Sequence, residues 1–408
     1  MLVTLIPLFD ENMSVGAYSL FTQKNNFLLN PLLGTTGQND GAATIDGFEV
    51  IESMGIETLS ADAEVFVALN NISIFSDIPS QCSAPHERLI LLIDTKIPPE
   101  SMYIERLKEL KDLGYKLAIR KLDVKDFELY REILMLMNYV FLDCKKMEID
   151  KVKLYFSKVY PDIKLCAGNI ETKDIYKEVK KEGGFQYYEG EFYRVPVTKG
   201  ENEVAPLKVN YIELLNIVNE GNFELSDAAD IIGRDTALVI LLLKMVNTMS
   251  INSEITSIRH AAAMLGQKEL KKWINTAVTN ELYADKPNEI TRLSLLRAKF
   301  AENLAASFSL TGKASELFLM GLFSVLDLIM EKPMPEALEL VKVSKDISDA
   351  LIHRKGKYAP VIDFVVHYEC ADWQEISRLM ILEKIEMKNV YEAYIKALRW
   401  YRDLVAVK

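Results

Sequence analysis

The chain has four histidines, and their neighbours decide what chemistry they can support. A catalytic metal needs histidine and carboxylate ligands close together, and a His-Asp dyad is the simplest such arrangement in a sequence. Here His86 precedes Glu87, His260 precedes Ala261, His353 precedes Arg354 and His367 precedes Tyr368, so no dyad exists. Each histidine is expected at the surface or in a helix hydrogen bond. Cys82, Cys144, Cys166 and Cys370 are scattered without CxxC spacing. That is the pattern of buried free thiols in a reducing cytoplasm. On these residues no catalytic group, no metal site and no cofactor is expected.

The elements that would carry any site come in two textures. Residues 1 to about 200 alternate short apolar runs with amphipathic stretches. The runs are Leu2–Leu8, Glu64–Leu69, Arg88–Ile93, Lys116–Ile119, Tyr139–Leu142 and Ile163–Ala167; between them Ser101–Leu113, Asp126–Leu136 and Thr172–Glu182 have helical spacing. Repeated strand-then-helix segments predict parallel strands covered by helices, and runs without polar alternation suit strands buried on both faces. From about residue 206 the spacing is helical to the C-terminus. The polar stretch Pro196–Pro206 is the best linker, which divides the chain into 1–200 and 207–408. Leu33–Gly47, rich in Gly, Thr and Asp, is expected to be a long exposed loop.

The net charge of −11 and pI near 5.2 argue against a nucleic-acid surface, since such affinity comes largely from Lys and Arg neutralising phosphates. The first residues lack a basic leader, and the apolar runs Leu238–Val246 and Leu317–Met330 are too short or interrupted for a bilayer span. A cytoplasmic protein without a membrane segment is expected.

The most informative stretch is Ile231–Leu270. It contains Ile231-Ile232, Asp235, an apolar helix ending in Val246-Asn247, then Ser257-Ile258, His260, Ala261 and Leu265-Gly266. This pattern resembles the HDOD domain, a bacterial signalling module related to the HD phosphohydrolases. Arg297-Ala298 with Glu302, Phe318 with Gly321 and Asp327, Tyr368-Glu369 with Asp372-Trp373, and Tyr391 with Leu398 and Trp400 continue the resemblance. Asp235-Thr236 reads as a helix N-cap, and Leu265-Gly266 as a left-handed C-cap. Asn247 is expected to be a structural polar group, and Trp373 and Trp400 core or interface anchors.

The first half resembles an EAL domain, a (β/α)-barrel fold that opens cyclic di-GMP, in the variant fused to HDOD. The resemblance rests on Ile6–Asp10, Ala17–Phe21, Gly114–Ile119, Tyr139–Asp143, Ala167–Thr172 and Tyr188–Pro196, in order. It implies a degenerate TIM-like barrel followed by an all-α, HD-related bundle. It also implies that active members hold Mg²⁺ or Mn²⁺ on oxygen ligands at the strand ends. In this chain Ser19 stands at the signature glutamate, Arg120 and Lys121 at the paired aspartates, Phe141 at the lysine and Gly168 at a further glutamate. Asp94, Asp143 and Glu171 remain. Arg120 or Lys121 is expected to pair with Asp143 or Glu171 and fill the old pocket. Gln23 and Glu189 depart from the family's Arg and Gln, which counts against cyclic di-GMP binding.

The resulting expectation is a signalling scaffold that is not an enzyme, acts by binding unidentified regulatory proteins and is connected to cyclic di-GMP pathways. The alternative is a sensor that binds a cyclic dinucleotide or another nucleotide in the barrel pocket without hydrolysing it.

Overall fold

The computed structural model describes residues 1–408 except 25, 27, 29–44, 197–205, 220–221, 250–256, 283–287, 342 and 407–408. Most of the Leu33–Gly47 loop and of the Pro196–Pro206 linker therefore lies outside the described residues. So does the side chain of Asn247.

Eight strands close a barrel in sequence order: β1 (Leu2–Phe9), β2 (Val15–Gln23), β3 (Glu64–Ala68), β4 (Leu89–Ile93), β5 (Lys116–Ile119), β6 (Tyr139–Asp143), β7 (Lys164–Gly168) and β8 (Phe185–Tyr188). The apolar runs fail to alternate because both strand faces are buried. Along β4, Ile90 and Leu92 join the interior cluster with Phe66, Ala118, Tyr139, Phe141, Cys166 and Tyr187. Leu89, Leu91 and Ile93 between them are also buried. The interior is held by aromatic edges: the Phe66 ring stands T-shaped to Tyr139 at 5.3 Å and to Phe141 at 5.4 Å.

Strands β2 to β8 run parallel, whereas β1 is antiparallel to β2 and β8. That departs from the all-parallel pattern predicted by strand–helix alternation. The cause is the hairpin at residues 10–14, where Asp10 Oδ1 accepts the amides of Asn12 and Ser14 at 2.8 Å each. An Asx-type turn of this kind reverses the chain without a helix.

Strand β1 registers with β8 only at Phe9 and Tyr188. Its remaining edge amides need other partners, since an unpaired buried N–H is costly. The C-terminal segment supplies them. The buried Tyr368 hydroxyl accepts the Val3 amide at 3.1 Å, and the Tyr394 hydroxyl lies 3.4 Å from Thr4 Oγ1. Gln23 Nε2 on β2 donates to Ser377 Oγ at 3.1 Å.

Contacts accordingly divide the chain into two units. One comprises Met1–Val195, Ala306–Ser309 and Phe364–Lys408, and the other Pro196–Ala305 and Leu310–Asp363. The helices Trp373–Leu382 and Met387–Ala406 thus group with the barrel.

The second unit is helical. Its tightest helix pair is Asn288–Leu304 against Ala314–Phe323. A Cβ at Gly321 would lie 2.5 Å from the Arg297 carbonyl oxygen and 2.6 Å from the Ala298 backbone. Only glycine lets the backbones approach this closely. Among the described residues no helix is long and apolar enough to cross a membrane.

Candidate functional site at the barrel mouth

Parallel strands gather their C-terminal ends at one face. There a cavity of about 630 Å³ is lined by Phe21, Asp94, Arg120, Lys121, Phe141, Asp143, Gly168, Glu189 and Trp373, among others. Arg120 directly follows β5. Its guanidinium lies 5.4 Å from the Phe21 ring centroid and 5.1 Å from that of Phe141, and each ring attracts the cation. Arg120 Nη2 donates to Glu189 Oε1 at 2.6 Å. The other oxygen of Glu189 accepts from Ser19 Oγ, buried on β2, at 3.3 Å. A polar string thus runs from the end of β5, through the residue after β8, to β2.

Lys121 takes a left-handed backbone, φ 60°, which costs an ordinary L-residue about 1–2 kcal/mol. Its Nζ lies 3.2 Å from Asp94 Oδ2, and its side chain is 66% exposed. Asp94 also accepts the Lys96 amide at 2.9 Å. Asp143 accepts the Lys145 amide at 3.0 Å and faces Lys146 Nζ at 3.7 Å.

Asp94, Arg120, Lys121, Phe141, Asp143 and Gly168 are thus brought to one cavity, with Ser19 beneath it. Glu171 is not among the lining residues: it is exposed and paired with Lys145. The expected pairing of Arg120 or Lys121 with Asp143 or Glu171 is corrected. Lys121 reaches Asp94, which follows the adjacent strand β4, and Arg120 reaches across the mouth to Glu189. Asp143 and Glu171 are taken by the nearby lysines Lys146 and Lys145.

Two mouth residues lie outside the pocket set expected from the sequence. Glu189 stood out only as a departure from a family glutamine. Its turn is pinned by Gly190, at φ 156°, where a Cβ would lie 2.0 Å from the Ile170 carbonyl oxygen. Trp373, expected as a core or interface anchor of the helical half, reaches the mouth from a distant segment of the chain.

Cysteine chemistry finds little support here. Burial and the Asp143 charge push the Cys144 thiol up to about 12, and burial raises Cys166 well above its ordinary value. Both are neutral thiols at pH 7. At the other end of the barrel the Tyr139 and Tyr187 hydroxyls donate to Glu64 Oε2 at 2.8 and 3.0 Å. Burial, reinforced by the Glu64 charge, raises both phenols and keeps them protonated donors.

The divalent cation implied by the EAL resemblance can be tested against these residues. Asp94, Asp143 and Glu189 each face a cation: Lys121, Lys146 and Arg120. Among the described residues no group of three or more His, Cys, Asp or Glu side chains converges as ligands. As arranged, the mouth does not fit a divalent metal.

The remaining motif residues are placed as follows. Asp235 caps the helix Thr236–Met249 by accepting the Leu238 amide at 3.1 Å, and accepts the Tyr211 hydroxyl at 2.7 Å. Ser257 Oγ accepts the His260 amide at 3.5 Å, and His260 is exposed. Gly266 breaks its helix at φ 69° and ψ 169°, a positive-φ stop but not the expected left-handed cap. Arg297, buried, donates to Ser324 Oγ at 3.1 Å. Glu302 accepts from Lys299 at 2.7 Å. Asp327 is buried at the start of the helix Leu326–Met330. Trp400 is half-buried on the helix Met387–Ala406, in the barrel unit.

Comparison with known proteins adds the following. Residues 204–354 match the family model of the HDOD domain. The uncharacterized protein YuxH of Bacillus subtilis is 26% identical over 411 residues, covering 98% of each chain. The cyclic di-GMP phosphodiesterase CdgJ of Vibrio cholerae is 27% identical over 357 residues, covering 86% of this chain and 82% of that protein. Among solved structures, a standalone EAL protein from Vibrio cholerae bound to c-di-GMP aligns with 47% of this chain and 90% of its own. It does so at 12% identity and a TM-score of 0.38.

These findings correct the expectation that the chain is not an enzyme. A relative aligned over most of both chains is named a phosphodiesterase. Losing a motif at fixed positions does not exclude the activity, because catalysis is recognised by geometry and roles and not by sequence position. Residues 204–354 of this chain match the HDOD domain, and a closed eight-stranded barrel precedes them.

Proposed function

We propose that this chain is a cytoplasmic signal-transduction protein of the cyclic di-GMP system, and that its barrel mouth takes cyclic di-GMP. Occupancy of the mouth is read out by regulatory proteins that bind the chain. The observation that carries this reading is Arg120. A guanidinium lining a 630 Å³ cavity, held over the Phe21 and Phe141 rings, can serve as a planar phosphate clamp. Lys96, Lys121 and Lys146 line the same cavity beside Asp94, Asp123 and Asp143, and their ammonium groups can turn to a phosphate. The earlier objection from Glu189 weakens, because that carboxylate is itself a hydrogen-bond partner of Arg120 which a phosphate can replace.

A second reading, hydrolysis of the same ligand at the same mouth, is favoured by the name of the relative CdgJ. Titration calorimetry of the full chain with cyclic di-GMP tests both, with chromatography of the mixture in Mg²⁺ and Mn²⁺ buffers. Saturable heat at one ligand species per site supports the mouth as a binding site. Appearance of linear dinucleotide selects the hydrolase. No heat at high micromolar ligand overturns both.

A further inference from the structure

We propose that Trp373 is a nucleobase platform of the barrel mouth, so that the C-terminal segment completes the ligand site. The inference rests on the reading that the mouth takes a cyclic dinucleotide, and it names the surface that would recognise the base.

Trp373 opens the helix Trp373–Leu382 and lines the same cavity as Arg120 and Phe21. Its side chain is only half-buried, so an indole joins Phe21 and Phe141 in the wall of the mouth. The indole is held from behind. Its ring stands T-shaped to Tyr368 at 5.4 Å, and Tyr368 is fully buried with its hydroxyl on the Val3 amide of β1. The turn before the indole is fixed as well. Asp372 accepts the Glu375 amide at 3.2 Å and takes His367 Nδ1 at 3.0 Å. Strand β1 thus positions the ring through Tyr368, and the helix cap positions its backbone.

A pre-positioned aromatic ring near a guanidinium is the combination that a nucleotide needs. The phosphate goes to the cation and the base stacks on the ring. Purines present the larger π-face, and indole is the best aromatic partner for such a face. A helix anchor alone would bury the ring fully against its neighbours, whereas here one side is left to the cavity.

The test measures affinity in the full chain for cyclic di-GMP and for inorganic pyrophosphate, which carries charge without a base. Stacking on an aromatic ring predicts roughly tenfold to hundredfold weaker binding of cyclic di-GMP in Trp373→Ala, with a smaller loss in Trp373→Phe. Pyrophosphate binding stays unchanged in both. Should Trp373→Ala melt early, a Trp273→Phe/Trp400→Phe background leaves Trp373 as the sole indole. Its emission is then expected to be quenched as cyclic di-GMP saturates. Wild-type affinity in Trp373→Ala, or unquenched emission at saturation, overturns the platform while leaving the mouth as the binding site. Failure of the wild-type chain to bind cyclic di-GMP overturns both.

Discussion

Arg120 Nη2 lies 2.6 Å from Glu189 Oε1, so the cation at the centre of the barrel mouth is already engaged by a carboxylate from the same chain. The guanidinium and carboxylate side chains are 18% and 11% exposed, which shields the pair from solvent screening. Glu189 therefore competes with any phosphate for Arg120. Glu189→Gln keeps the shape and the Ser19 contact but removes the charge. A charge-assisted hydrogen bond exceeds a neutral one by about 1–1.5 kcal/mol, so affinity for cyclic di-GMP is expected to rise roughly tenfold. Equal or weaker binding by Glu189→Gln in calorimetry would remove the competition account.

The C-terminal segment is expected to be indispensable to the barrel. Arg194, at the end of the barrel sequence, pairs with Glu369 at 2.6 Å, and the two side chains are 8% and 14% exposed. Removing one partner of a buried pair costs about 3–5 kcal/mol when the other charge is left alone; Arg194 keeps a second carboxylate in Glu191, so the loss falls below that range. Glu369→Ala should lower the denaturant midpoint accordingly. A chain ending at Asp363 exposes the edge of β1 and the Arg194 charge together, and it should lose cooperative unfolding of the barrel. A truncated protein that unfolds cooperatively at the wild-type midpoint would show that the barrel does not need these helices.

Gly321→Ala places a methyl group against the Arg297 and Ala298 backbone, which has no side chain to swing away. Overpacking of this kind costs about 1–3 kcal/mol, and a backbone clash belongs at the upper end. The loss should appear in urea unfolding of the helical unit while cyclic di-GMP affinity is unchanged. A midpoint within error of wild type would mean that the two helices separate freely.

Glu316 gives the helical unit a pH-dependent contribution. Burial raises its pKa, but hydrogen bonds from Lys313 and Tyr358 outweigh that and hold it below the usual glutamate range. Tyr358, fully buried, donates at 2.6 Å. A carboxylate whose folded pKa is depressed contributes stability above its unfolded pKa, and that contribution is lost as pH falls through the folded value. Tyr358→Phe should therefore cost about 2 kcal/mol at neutral pH. The gap to wild type should close as pH drops below about 4. A gap that stays constant from pH 7 to pH 3 would assign the loss to packing alone.

The sequence made the strands legible where burial was symmetrical. Glu64–Ala68, Leu89–Ile93 and Lys116–Ile119 coincide with apolar runs, since a barrel strand covered by helices has no polar face to interrupt it. Strand β2, with Tyr18, Ser19 and Thr22 among its residues, gave no such run, and it was placed only through the family pattern around Ala17–Phe21. The mouth was legible in part. Asp94 and Arg120 follow strands and Phe141 and Asp143 lie on β6, and strand ends converge by the geometry of the fold. The pairing of those residues was not legible, because Arg120 selects a partner from across the barrel and not from its neighbour. Trp373 was least legible of all: it is separated in sequence from every strand, and the link runs through the Tyr368 hydroxyl on β1.

The central claim is that the mouth binds cyclic di-GMP through Arg120. Its most direct test is the dissociation constant for cyclic di-GMP of the wild-type chain and of Arg120→Ala, each verified by thermal melting. The account predicts saturable binding by the wild type and roughly tenfold to hundredfold weaker binding by the variant. Equal affinities, or no binding by the wild type, would contradict it.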